Sequence, residues 1–259
     1  MKSYLKYLIV IFLTVFSFYY TDKVIELSEY NNTILASIND YANNNDTKCI
    51  EGEINDKGII LGLAGLSVDK NKSYSYMKGI GFRKDLIQFK KNKCILNKED
   101  NLDKYILSGN KQSNNISLVI DIYTGEYYEE MFKKAENENV KLNLMVSLND
   151  IYKINIKDSM LLKSDKNNIK EFKKNIKNFY CVKTNDYEII DDCKKEKINS
   201  IRMINYIDKN LLLKTKKILD KGVIIFIKEN SFNNNELVST IKYIKSRGYN
   251  IVSIDELLS

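Results

Sequence analysis

The side chains of this chain that can do chemistry are carboxylates, lysines, tyrosines and four cysteines; histidine, tryptophan and proline are absent. Without an imidazole there is no Ser-His-Asp triad, no Cys-His pair and none of the usual histidine-bearing zinc sites. Most familiar hydrolase chemistry is excluded on that ground. The cysteines, Cys49, Cys94, Cys181 and Cys193, contain no C-x-x-C spacing, which argues against a zinc knuckle or a thioredoxin-type redox site. Their even number fits two disulfides in an oxidising compartment, although four cysteines allow three connectivities and unpaired buried thiols are the alternative. We expect Cys49–Cys94 within an amino-terminal module and Cys181–Cys193 within the next, the second pair joining a strand end to the helix after it. The doublets Glu129-Glu130 and Asp191-Asp192 fall on expected helices and read as solvated faces.

The apolar fraction of 44% and charged fraction of 29% exclude a wholly disordered or collagen-like chain. The formal charge of +7 is a mild excess. Lysines are interleaved with acids along the chain, whereas a nucleic-acid footprint concentrates them on one face or in runs, so no nucleic-acid partner is expected. Codon drift towards A and T accounts for the surplus of Lys, Asn, Ile and Tyr; it leaves the missing histidine unexplained.

Lys2 and Lys6 precede an apolar run, Tyr7 to Tyr20, closed by Thr21-Asp22-Lys23. As a helix it rises about 21 Å, against a hydrocarbon core of about 30 Å. Counting Tyr4 and Leu5, with Lys6 reaching back to the headgroups, brings the span near the lower limit for crossing. A cleaved signal peptide competes, but Ser17-Phe18-Tyr19-Tyr20 lacks the A-x-A-like pattern of small residues that cleavage requires. An uncleaved single-pass anchor in the cell membrane is the expectation, with the bulk of the chain outside the cytoplasm.

Four regions follow from the patterning: 1–21, membrane anchor or signal segment; 22–46, a stalk helix ending in Asn43-Asn44-Asn45-Asp46; 47–110, a small mixed α/β module; and 111–259, an alternating β/α domain. In the module, strand-like pieces at Cys49–Ile54, Gly58–Leu61 and Lys93–Leu96 flank the turn Gly62-Leu63-Ala64-Gly65 and a helix-like stretch with Ser73, Tyr74, Met77 and Lys78. Beyond it, strands are expected at Ile116–Ile122, Lys141–Ser147, Met160–Lys163, Lys177–Val182, Ser200–Ile204, Gly222–Ile227 and Asn250–Ser253. Helices are expected at Glu126–Asn137, Asn168–Asn175, Tyr187–Lys195, Leu211–Asp220 and Asn235–Arg247, with Lys221-Gly222 and Arg247-Gly248 as stop signals. Strands alternating with helices give a parallel βαβ architecture, and 116–259 is short for a full (β/α)8 barrel, so a reduced barrel is predicted.

The segment Leu219-Asp220-Lys221-Gly222-Val223-Ile224-Ile225-Phe226-Ile227-Lys228 resembles the late helix–strand step of polysaccharide deacetylases, carbohydrate esterase family four. Asn235-Glu236-Leu237, Ile241 to Tyr249 and Val252 to Leu258 are similar to that family's terminal helix, Lys/Arg-Gly-Tyr, strand and final Asp/Glu-Leu-Leu. Ile116–Ile122 and Lys141–Val146 resemble its first two strands more weakly, and Cys49–Tyr105 resembles the extension of membrane-anchored deacetylase-like proteins of Gram-positive bacteria. The resemblance covers residues 49–259, most specifically at the carboxyl end. It implies a reduced or deformed (β/α) barrel of the polysaccharide-deacetylase type, and metal-assisted amide hydrolysis, a hydrolase acting on carbon–nitrogen bonds other than peptide bonds.

Residue by residue, the resemblance places Asp121 at the family's base, Ile122 at its metal-binding aspartate and Lys228 at its acid histidine; its His-x-x-x-His element has no counterpart. No Asp/Glu constellation stands at matching positions to hold Mg²⁺ or Ca²⁺ through oxygen alone. The implied metal site is therefore lost, no cofactor is expected, and the chain reads as a pseudoenzyme. Asp121, Lys228 and Glu229 are candidates for contact with a cell-wall glycan, with a bland alternative in which Lys228 and Glu229 are an inert surface pair. Two other functions stay open: a working deacetylase with an unorthodox site built on Asp121, and a structural ectodomain whose 18 tyrosines serve packing or partner contacts.

Overall fold

The apolar run and the periodic stretch behind it form one helix, α1 (Lys2–Asn45), in the computed structural model of the chain. The structure describes residues 2–123, 128–151, 154, 160–163, 169–176, 178–184 and 189–259. After α1 come β1 (Glu53–Asn55), β2 (Gly58–Ile60), β3 (Gly65–Val68), α2 (Lys70–Met77), β4 (Phe89–Asn92), β5 (Tyr105–Ser108) and β6 (Asn115–Asp121). The chain continues through α3 (Tyr128–Asn137), β7 (Asn143–Val146), α4 (Leu148–Ile151), β8 (Met160–Lys163), α5 (Ile169–Asn175), β9 (Phe179–Lys183) and α6 (Ile190–Lys195). It closes with β10 (Ser200–Arg202), β11 (Asn205–Ile207), α7 (Leu211–Ile218), β12 (Ile224–Lys228), α8 (Asn234–Ser246), β13 (Asn250–Ile251) and α9 (Ile254–Leu257). Glu126, Asn168, Lys177 and Tyr187, each the first residue expected in its element, lie outside the described residues.

The chain divides into two units. One comprises residues 1–48 and 65–92. Its core is a stripe on α1, Ile34, Ile38 and Ala42, which meets Val68, Met77 and Ile87. These α1 residues recur every fourth position, so they lie on one face of the helix. β3 and β4 pair antiparallel, and Asp69 caps α2 by accepting the Lys72 N–H at 3.0 Å. The amino-terminal part of α1 is apolar and exposed, and α1 is long and apolar enough to cross a membrane.

The second unit, residues 49–64 and 93–259, is a barrel-like α/β sheet. Its strands run in the order β1-β2-β5-β10-β9-β8-β7-β6-β12-β11, all ladders parallel except β1 with β2. β10 and β11 stand far apart in that order, yet only Met203 and Ile204 separate them in sequence. Three peptide steps reach at most about 10 Å. The sheet must therefore curl until its β11 edge returns to β10, closing β6 to β12 into a barrel through the chain itself. The strand expected at Ser200–Ile204 ends at Arg202 as β10, and a further strand, β11, starts just beyond the expected range: β10 pairs with β9 and β5, β11 with β12 at the opposite end of the sheet.

The stretch 47–110 is divided between the units rather than forming a single body, because β2 and β5 extend the main sheet through β10 while 65–92 packs with α1. Lys93–Leu96 is not a strand. Its amides are used locally, the Glu51 carboxylate accepting the N–H groups of Ile95 (3.1 Å) and Leu96 (3.4 Å). Gly222 is a turn glycine beyond the end of α7: its φ is 73°, and a Cβ there would stand 2.4 Å from the Gly109 carbonyl oxygen.

Alternation along each strand sorts side chains onto two faces. Leu118, Ile120, Leu144, Leu162, Ile225 and Ile227 point outwards to a core shared with the helices. Val119, Met145, Leu161, Ile201, Ile224 and Phe226 fill the interior. Ile254, Leu257 and Leu258 join that interior, closing the end where the strands begin. Buried Asn143 fastens this plug, accepting the Ile254 N–H at 2.9 Å and donating to the Leu118 carbonyl at 2.9 Å. Asn143→Leu orphans the Ile254 amide and should cost about 1–3 kcal/mol. Urea unfolding with an unchanged m-value measures it, and an unaltered midpoint refutes the assigned role.

Candidate functional site

The inward parity that runs through Val119, Leu161 and Phe226 puts Asp121, Lys163 and Lys228 in the last layer at the carboxyl ends of β6, β8 and β12. In parallel barrels this is the end where reacting groups gather. Asp121 is only 2% exposed. The Lys163 ammonium lies 2.5 Å from its Oδ1, and the Tyr206 hydroxyl donates to its Oδ2 at 3.0 Å. Lys163 also donates to the Ile122 carbonyl oxygen and stands 4.0 Å from the centre of the Tyr123 ring. Burial, the hydroxyl of Tyr123 at 3.4 Å and the negative charge of Asp121 all push the Tyr206 phenol above the usual tyrosine range, so it stays protonated and donates.

Asp121 and Lys228 are register partners on neighbouring strands. The ion pair of Asp121 is nevertheless made with Lys163, while the Lys228 ammonium lies 5.3 Å from the Tyr123 ring centre. Lys228 is exposed and open to solvent. Glu229 is no surface residue: it is 1% exposed, and its Oε2 accepts the Tyr123 N–H at 2.7 Å, so it fastens the turn that follows β6. Of the three candidates for glycan contact, then, only Lys228 is open, because parity and strand pairing bury the carboxylates of the other two. Ile122 points outward and is fully buried in the core beneath the helices, presenting only its backbone to the site.

Lys163, Tyr206 and Tyr123 were not among the residues singled out from sequence. Lys163 carried one legible signal, a charge ending an apolar strand, but its partner requires the strand order. The acidic doublets stay outside the site. Asp191 and Asp192 sit on the first turn of α6, with Asp192 paired to Lys195 at 3.0 Å, and Glu129 and Glu130 are exposed on α3.

The divalent ion implied by the sequence resemblance does not fit these side chains. A hard cation needs several free oxygen or imidazole donors. Here one carboxylate is engaged at both oxygens, an ammonium lies against it, and no imidazole exists. Elsewhere, Cys49, Glu51 and Cys94 bring potential ligand atoms together, but the two sulfurs are bonded to each other. Cys181 is bonded to Cys193, joining β9 to α6.

No family model matches the sequence, and no curated protein matches it. Solved structures do. The chain is similar to wild-type BA3943, a CE4 family pseudoenzyme from Bacillus anthracis, with TM-score 0.61, 16% identity, 88% of this chain covered and 95% of that one. A mutant of that pseudoenzyme gives TM-score 0.62 at 16% identity, with 88% and 98% covered. A further mutant, described as having restored enzymatic activity, gives 0.61 with the same identity and coverage. The chain thus has the deacetylase-type (β/α) barrel, similar in fold to a CE4 pseudoenzyme, with an Asp121–Lys163 ion pair in the layer at the carboxyl ends of its strands.

Proposed function

We propose that this chain is a non-catalytic protein of the deacetylase fold, anchored by α1 with its bulk outside the cytoplasm, that binds a cell-wall glycan at the barrel mouth. One observation carries the loss of catalysis: Asp121, the carboxylate that the resemblance puts at the base position, is committed to Lys163 and Tyr206. A hydrolytic base must be free to accept a proton from water, and a metal-assisted reaction needs a polarising ion, a contribution of several kcal/mol. Neither requirement is met by this set of side chains. The glycan reading is supported by what remains open at the mouth, the exposed Tyr123 ring with the Lys228 ammonium beside it. An aromatic face and a hydrogen-bond donor suit a sugar ring and its hydroxyls. The pseudoenzyme status of the Bacillus anthracis protein agrees with this reading.

Two experiments test it. Incubation with acetylated chito-oligomers, with or without Zn²⁺ or Co²⁺, should release no acetate above background. Release that chelators quench and Asp121→Asn abolishes overturns the non-catalytic reading. Retention on insoluble peptidoglycan should exceed that of a charge-matched control and fall at least several-fold in Tyr123→Ala/Lys228→Ala. Equal retention of all three proteins rejects glycan binding.

A further inference from the structure

Three electron-rich groups converge at the mouth on one point: Asp121 Oδ1, the carbonyl oxygen of Ile122 and the face of the Tyr123 ring. The Lys163 ammonium occupies that point, with its side chain 19% exposed. We infer that these groups form a binding site for a primary ammonium ion, and that Lys163 fills it as a ligand tethered to the chain. The inference goes beyond the proposed glycan binding and does not depend on it.

The chemistry of the three groups selects the class of cation. A carboxylate supplies one full negative charge, a carbonyl one dipole, and an aromatic ring the face that attracts organic cations. That set neutralises a single charge: Asp121 Oδ1 faces the ammonium as an ion-pair partner, and the Ile122 carbonyl oxygen accepts one of its N–H groups. A divalent ion would keep an uncompensated charge and find only two oxygens in the set, against the roughly six or more that a hard cation takes. The surrounding bonds hold the acceptors in place without the lysine. Tyr206 fixes Oδ2 of Asp121, and Glu229 fixes the backbone of Tyr123, from which the ring projects. The site should therefore survive removal of the lysine side chain, leaving a hole for the fragment removed.

That fragment is n-propylammonium, since Lys163→Ala keeps only Cβ. In the full chain in detergent micelles, Lys163→Ala should lower the thermal midpoint by on the order of 10 °C, because it leaves the Asp121 charge buried without a partner. Adding n-propylammonium chloride should recover at least half of that loss, saturably. Sodium chloride at equal ionic strength and n-propanol should not, and neither should the amine act on Asp121→Asn/Lys163→Ala. Equal recovery by salt or alcohol, or none by the amine, overturns the inference. If Lys163→Ala is unfolded alone, the readout becomes folded protein recovered on adding the amine, against the same salt and alcohol controls and with the same outcomes deciding. A second arm uses Lys163→Met, which keeps the stem and removes the charge. It should lose a comparable amount, most of it regained in Asp121→Asn/Lys163→Met, and a Lys163→Met variant as stable as the parent also overturns the inference. Glycan retention is read separately, so failure here leaves the proposed function standing and its failure leaves this site standing.

Discussion

Replacing Phe226 with alanine should cost about 3–5 kcal/mol, as expected for emptying a fully buried aromatic position that the surrounding strands cannot collapse to fill. Phe226 lies on the inner face of β12, with Val119 of β6 and Tyr206 of β11 as its register partners. It is fully buried in the barrel interior, two residues before Lys228, and forms the floor beneath the Asp121 layer. β12 is hydrogen-bonded on both sides, so neither neighbouring strand can move in to close the space. Phe226→Leu, which keeps most of the volume, should cost roughly 1–2 kcal/mol. Guanidinium unfolding of the two variants measures both figures. A loss below about 1 kcal/mol for the alanine variant would mean that the interior is not packed around this ring.

The second large effect concerns the disulfides. Cys49→Ala/Cys94→Ala should destabilise by about 4 kcal/mol and Cys181→Ala/Cys193→Ala by about 3 kcal/mol, from the loop-closure entropy that each bond removes from the unfolded chain. The separations are 45 and 12 residues, so the longer loop gains more. Cys49–Cys94 also joins the two places where the chain enters the barrel unit, after residues 1–48 and again after residues 65–92, so its loss releases both entry points. Urea unfolding of both double variants gives the order directly. If the shorter loop proves the costlier to open, native packing rather than chain entropy dominates, since Cys181 and Cys193 are both fully buried.

Much of the barrel was legible along the chain. The apolar pieces from Ile116 onward are strands within a few residues of where their patterning put them, because apolar runs of that length bounded by helical stretches suit a sheet buried on both faces. β11 was not legible, because Asn205–Ile207 is only three residues long and only its pairing with β12, at the opposite end of the sheet from β10, makes it a strand. Lys93–Leu96 misled for a related reason: strand-like residue types do not show whether amides meet a ladder or a carboxylate such as Glu51.

At the site, composition alone settled one matter. A chain without histidine cannot assemble an imidazole metal centre however it folds. What stands in its place was decided by tertiary structure. Lys163 and Tyr206 reach Asp121 because β8 and β11 end in the same layer of a curled sheet as β6 does, and parity turns all three side chains inward. Local pattern shows which residues alternate; the order of strands around a barrel, set by pairing between distant segments, chooses which charges meet.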